Sequence, residues 1–123
     1  MRRTMLYLPG NNPNMLVRGH LFGPDGLILD LEDAVSVSEK DSARVLVREM
    51  LRQGEFGSCE VTVRINGVDT EYWRDDLAAV VPAGVSGIRV PKVEGPETIR
   101  ILDEELSGVE SKAGIPVGQT KIF

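Results

Sequence analysis

Residues 27–40 read LILDLEDAVSVSEK, and the order of residue types along them decides the fold. Leu27, Ile28, Leu29 and Leu31 form a short apolar run of the kind found in a parallel strand covered on both faces. Asp30 interrupts that run. Glu32 and Asp33 stand where the strand should end, and Ser36 with Glu39 three residues later has the spacing of a capping box for a following helix. One continuous segment therefore carries a strand, an acidic loop and a helix start. In α/β proteins the carboxyl ends of parallel strands are where ligands and catalytic groups collect, so this loop is the first place to look for chemistry.

The same alternation recurs on both sides. Residues 4–8 form a short apolar strand, Pro9-Gly10-Asn11-Asn12 a loop, and Asn12 with Pro13 a cap and first helical residue. That helix is expected to send Met15, Leu16 and Phe22 into a core and to end at Gly23-Pro24-Asp25-Gly26. A second helix over residues 37–53 presents Ala43, Leu46, Val47 and Met50 on one buried face and Arg44, Arg48 and Arg52 as a solvated stripe, with Gly54 as its stop.

Residues 60–66, EVTVRIN, alternate cleanly: Val61, Val63 and Ile65 point one way, Thr62, Arg64 and Asn66 the other. A helix from about Thr70 buries Trp73, Leu77, Val80 and Val81. A fourth strand runs from Gly87 to Val90, with Lys92 at its exit on the side of Ile88 and Val90 by the same alternation. Pro96 opens a helix holding Ile99, Leu102 and Leu106, and residues 119–123 begin a fifth strand.

Repeated βα units with short connections specify a parallel sheet, either doubly wound or part of an eight-stranded barrel. The first loop lacks the glycine spacing of a dinucleotide or nucleotide phosphate site, which favours the barrel. On the barrel reading Glu32, Asp33, Arg64, Asn66 and Lys92 share one mouth. Carboxylates beside cations there suit a divalent metal and an anionic substrate clamped by arginine. Periodicity alone equally allows Arg64 to be an internal ion-pair partner of Glu32 or Asp33.

A net charge of -5 supplies no excess of cations for nucleic acid or an anionic membrane. Cys59 is the single cysteine, which excludes an internal disulfide and fits a reducing cytoplasm. Arg2 and Arg3 resemble the start of an export leader, but Pro9 and Gly10 cut the apolar run that follows.

Four segments carry a resemblance: MLYLPGNNPNML (residues 5–16), LILDLEDAVSVSEKDSAR (27–44), VRINGVDTEYWRDDL (63–77) and GIRVPKVEG (87–95). In order and spacing they resemble the amino-terminal part of the citrate lyase β-subunit family, which includes malyl- and citramalyl-CoA lyases. The resemblance implies the amino-terminal half of a TIM-type barrel and a Mg2+-dependent carbon–carbon lyase. For the citrate lyase branch it implies cleavage of a citryl thioester to oxaloacetate and an acetyl thioester.

By the VRIN match Arg64 binds the oxo acid and is catalytic. By the LDLEDAV match Glu32 and Asp33 support the metal through its waters, and Lys92 falls on the PK position as a substrate-binding group. The direct Mg2+ ligands are expected beyond residue 123, so the 123 residues alone are expected to be a partial, inactive barrel domain. Acyl carrier protein, other citrate lyase subunits and further copies of the chain are the implied partners. A coenzyme A thioester lyase and a non-catalytic assembly module are the alternatives. His20 is a weak candidate for the base and Cys59 an improbable nucleophile.

Overall fold

The computed structural model describes residues 4–54, 56 and 59–123. Arg2 and Arg3 lie outside them. Five strands form one sheet: β1 (Met5–Pro9), β2 (Gly26–Asp30), β3 (Glu60–Arg64), β4 (Gly87–Arg89) and β5 (Lys121–Ile122). All neighbours are parallel, and their spatial order is their sequence order. A doubly wound sheet reverses its strand order at a switch point, whereas a barrel adds each strand beside the last. The unbroken order is that of a barrel segment.

Helices α1 (Pro13–Arg18), α2 (Lys40–Gln53), α3 (Trp73–Val80) and α4 (Pro96–Lys112) fill the connections. Each touches the next, so they form one layer against one face of the sheet. The core lies between. Leu8, Leu27, Leu29, Val61, Val63 and Ile88 from the strands, with Ile65 just after β3, meet Leu16, Ala43, Val47, Trp73, Leu77, Leu102 and Leu106 from the helices. Burying each large side chain contributes about 1.5–3 kcal/mol, and this face holds the fold together.

The opposite face carries Tyr7, Ile28, Asp30, Thr62, Arg64 and Arg89, placed together by alternation and register. Ile28 is buried yet lies outside the helix-facing core, as this parity requires.

Some local expectations hold and others do not. The Asn12 side chain accepts a hydrogen bond from Met15 N–H at 3.1 Å, with Pro13 in the first turn. However, α1 is only six residues long and a 3-10 turn (Gly19–Phe22) replaces its continuation. Leu16 is buried, but Met15 on α1 and Phe22 in the 3-10 turn lie on the surface, Phe22 being 79% exposed. Ile99 on α4 is likewise largely outside the core.

The capping box at Ser36 does not form. Residues Val37–Glu39 make a 3-10 turn before α2, Ser36 makes no side-chain cap bond, and the Glu39 carboxylate accepts from the Asn11 amide instead. The arginine stripe is corrected too. Arg52 remains at the surface and Arg48 is half-buried, both against Glu49, but Arg44 is more deeply set and its Nε donates to Asp76 on α3 at 3.0 Å.

Candidate active site at the ends of β2 and β3

Asp30 and Arg64 are the last residues of β2 and β3 and are paired in register, so both side chains leave the sheet on the same face. They form a two-pronged ion pair. Arg64 Nε donates to Asp30 Oδ1 at 2.9 Å and Nη2 to Oδ2 at 2.6 Å. The other lone pairs of Asp30 accept from Glu32 N–H at 2.9 Å and Ala34 N–H at 3.0 Å. Four donors thus saturate a carboxylate that is 1% exposed.

Burial alone would raise the Asp30 pKa. The Arg64 hydrogen bonds, the two backbone donors and the Arg64 charge together outweigh it and hold the group below its ordinary value of 3.8. For Arg64 the Asp30 hydrogen bonds dominate over burial and raise its pKa. Its charge is permanent at any working pH.

Arg64 is fixed on two further sides. Its guanidinium carbon lies 4.8 Å from the centroid of the Tyr7 ring, and Glu32 Oε1 is 3.7 Å from Nε. Nη1 makes no hydrogen bond among the described residues, and Asp30 and Arg64 line a cavity of about 360 Å³ with Tyr7, Asp33 and Ala34. The guanidinium thus offers its remaining edge to that space. A larger cavity of about 670 Å³ between α3 and α4, lined by Arg74, Asp75, Glu105 and Val109, holds none of these groups.

Glu32 and Asp33 follow Asp30 as expected, and they act on each other. Burial raises the Glu32 pKa first, followed by a hydrogen bond to Asp33 and the Asp33 charge, while Arg64 and Lys92 pull it back. Lys92 is therefore within electrostatic reach of Glu32. Lys92 lies beyond β4, which ends at Arg89, and has φ 54, a left-handed conformation uncommon outside glycine, so strand alternation does not set its direction. The expected placement beside Ile88 and Val90 is corrected accordingly.

The acidic loop is held from below by Lys40, a group whose importance the sequence did not signal. Its Nζ is buried and donates to the carbonyls of Leu31 at 3.0 Å, Glu32 at 3.1 Å and Val35 at 3.2 Å. Gly10 closes the other side. Its N–H donates to Asp30 O at 2.8 Å, and a Cβ there would sit 2.6 Å from that oxygen.

Asn66 does not join the group. Both its N–H and its Nδ2 donate to Asp76 Oδ2, at 2.9 and 2.7 Å, which ties the loop after β3 to α3. His20 sits in the 3-10 turn that leads away from the site toward β2, with Nδ1 buried and unpartnered among the described residues. Cys59 Sγ donates to Pro24 O at 3.2 Å. Among the described residues no three carboxylate, imidazole or thiol groups converge as a cation site requires. Glu32 and Asp33 are two adjacent carboxylates, too few to make an octahedral site directly.

Residues 3–123 match the HpcH/HpaI aldolase/citrate lyase family. The chain is 48% identical over 123 residues to citrate lyase subunit beta of Leuconostoc mesenteroides subsp. cremoris, covering all of this chain and 41% of that protein. It is 36% identical over 107 residues to (3S)-malyl-CoA thioesterase of Cereibacter sphaeroides, covering 87% and 38% respectively. The chain thus spans about two fifths of the length of these relatives.

Among solved structures, the Haloferax volcanii malate synthase magnesium/glyoxylate complex superposes with a TM-score of 0.84 at 22% identity, over 98% of this chain and 41% of that one. Protein CitE from Mycobacterium tuberculosis in complex with magnesium and acetoacetate superposes with a TM-score of 0.67 at 26% identity, over 82% and 41%.

Proposed function

Because this chain belongs to the HpcH/HpaI aldolase/citrate lyase family, we propose that it carries the oxo-acid-gripping part of a carbon–carbon lyase site, one that cleaves a citryl thioester to oxaloacetate and an acetyl thioester. The observation that carries this reading is the posture of Arg64. Asp30 occupies one edge of its guanidinium, Tyr7 one face, and the remaining nitrogen is left for a ligand carboxylate or oxygen. An arginine so fixed loses little side-chain entropy when a ligand arrives.

In the reaction a base takes the proton of the substrate hydroxyl. The oxygen's electron pair re-forms a carbonyl as the adjacent carbon–carbon bond breaks. The bonding pair passes to the thioester as an enolate, which a proton returns to an acetyl thioester. Negative charge rises on the hydroxyl oxygen before the bond breaks, and in this reading Arg64 meets it. By analogy with oxyanion donors, losing such a group costs about 2.7–4 kcal/mol in barrier. Lys92 and Arg64 together bind the substrate in this reading. Glu32 and Asp33 would meet a bound Mg2+ through its waters, and the ion would supply further positive charge to the substrate oxygen.

An acyl carrier protein thioester, other citrate lyase subunits, association with further copies and a cytoplasmic setting belong to the same proposal. Among the described residues no helix is long and apolar enough to cross a membrane. Likeness to a malyl-CoA thioesterase supports a second reading, in which the substrate is a malyl or citramalyl thioester of coenzyme A.

The test is calorimetric titration of the chain with oxaloacetate in millimolar Mg2+. The expected result is saturable binding that Arg64→Gln weakens roughly tenfold or more, the effect of losing one charge-assisted hydrogen bond. Equal affinity in the variant would remove Arg64 from the site. The 123 residues alone are expected to bind Mg2+ weakly and to turn over neither citryl nor malyl thioester. Arg64-dependent cleavage by them would contradict that. A concentration-dependent oligomer that binds no oxo acid would instead favour an assembly module.

A further inference from the structure

Arg89 is the last residue of β4 and the register partner of Arg64, so the two side chains leave adjacent strands on the same face. Their head groups then turn to opposite sides, Arg64 toward Asp30 on β2 and Tyr7 on β1, Arg89 toward Thr62 and the Phe123 ring, so a ligand that engages both needs an anionic group at each end. The two arginines differ in one respect. Arg64 is neutralised by Asp30, whereas Arg89 has no carboxylate partner among the described residues.

That difference sets Arg89 apart from its peers. Among the described residues the other half-buried arginines, Arg44, Arg48 and Arg64, are each paired with an acid. The Arg89 Nε donates to Thr62 Oγ1 at 3.2 Å, and its guanidinium carbon lies 5.0 Å from the Phe123 ring centroid. Both contacts orient the group, but neither cancels its charge. Nη1 and Nη2 make no hydrogen bond among the described residues. Guanidinium does not deprotonate in proteins, so Arg89 carries a permanent charge with no acid against it among the described residues, one strand away from Arg64.

We propose that Arg89 is a specificity residue that binds the distal carboxylate of a dicarboxylic oxo acid whose proximal carboxylate rests on Arg64. The inference builds on the assignment of Arg64 to the oxo acid. It makes the site select a ligand with two carboxylates over a monocarboxylate such as pyruvate or glyoxylate.

The experiment compares oxaloacetate with pyruvate, each titrated into the chain and its variants in millimolar Mg2+. The unaltered chain is expected to bind oxaloacetate at least about tenfold more tightly, the worth of one charge-assisted contact. Arg89→Gln should bring oxaloacetate down to the level of pyruvate, Arg89→Lys should keep part of the preference, and Arg64→Gln should weaken both acids. Circular dichroism of Arg89→Gln checks that it is folded, and the lysine variant carries the test if it is not. A preference that survives in Arg89→Gln, or one absent from the unaltered chain while Arg64→Gln still weakens both acids, overturns the role of Arg89 alone. If Arg64→Gln changes neither acid, the assignment of Arg64 fails and this inference fails with it.

Discussion

Asp30 and Glu32 lie two residues apart and respond to pH in opposite senses. The Asp30 pKa is lowered on folding, so its pairing stabilises the protein above the unfolded-state value, about 3.9, and is lost as pH falls through the still lower folded value. The Glu32 pKa is raised, so its contribution is complete below the unfolded value and is lost as pH rises through the folded one. At pH 7 the two substitutions should therefore diverge. Asp30→Asn removes the buried, two-pronged partner of Arg64 and should cost about 3 kcal/mol, whereas Glu32→Gln should cost nothing or stabilise slightly. Urea denaturation of both variants at pH 7 checks this, and equal losses would contradict it. On acidification below pH 4 the gap between Asp30→Asn and the unaltered chain should narrow.

At the same scale, the sequence was legible in its acids but not in their partners. Arg64, Glu32 and Asp33 could be assigned to one end of the sheet because they fall at the carboxyl ends of successive parallel strands. Asp30 looked like an interruption in an apolar run, because a one-dimensional pattern does not display register. Only the pairing of Asp30 with Arg64 across β2 and β3 reveals it as the arginine's anchor. Lys40 was hidden for a related reason, since its three acceptors are backbone carbonyls that carry no residue identity.

Among the elements, long apolar periodicities were readable and short starts and stops were not. The buried face of α2 follows from Ala43, Val47 and Met50, and Gly54 ends it in the left-handed conformation (φ 68) that glycine permits. The start of α2 was misjudged because Glu39 has a competing partner in Asn11, contributed by a distant loop. Phe22 was misplaced because a 3-10 turn rotates side chains away from the α-helical stripe.

The loop between β2 and α2 depends on Lys40 as its fixed post. Lys40→Met keeps the stem volume and removes the donors, leaving three carbonyls short of a partner. We expect a loss of about 1–3 kcal/mol, with hydrogen exchange speeding up first at the Glu32 and Ala34 amides that bind Asp30. Unchanged exchange at those amides would show that the loop holds its shape without the lysine.

For the whole molecule, the order β1-β2-β3-β4-β5 leaves β1 and β5 each paired on one side among the described residues. Unpaired strand edges template association, so the purified 123 residues should sediment with a mass that rises with concentration. A monomer across the micromolar to millimolar range would contradict this. The barrel reading was accessible from sequence because repeated βα units and the absence of a glycine-rich phosphate loop restrict the topology. What the pattern could not supply was strand order, which depends on which edges meet.

In the proposed function the Arg64 guanidinium, anchored by Asp30, meets the oxo acid. The most direct measurement follows the Nε–Hε resonance of Arg64 by nitrogen-edited NMR as oxaloacetate is added. A saturable shift at Arg64 with the Asp30 hydrogen bonds retained is the predicted result. Binding that shifts other residues and leaves the Arg64 resonance unmoved would contradict it.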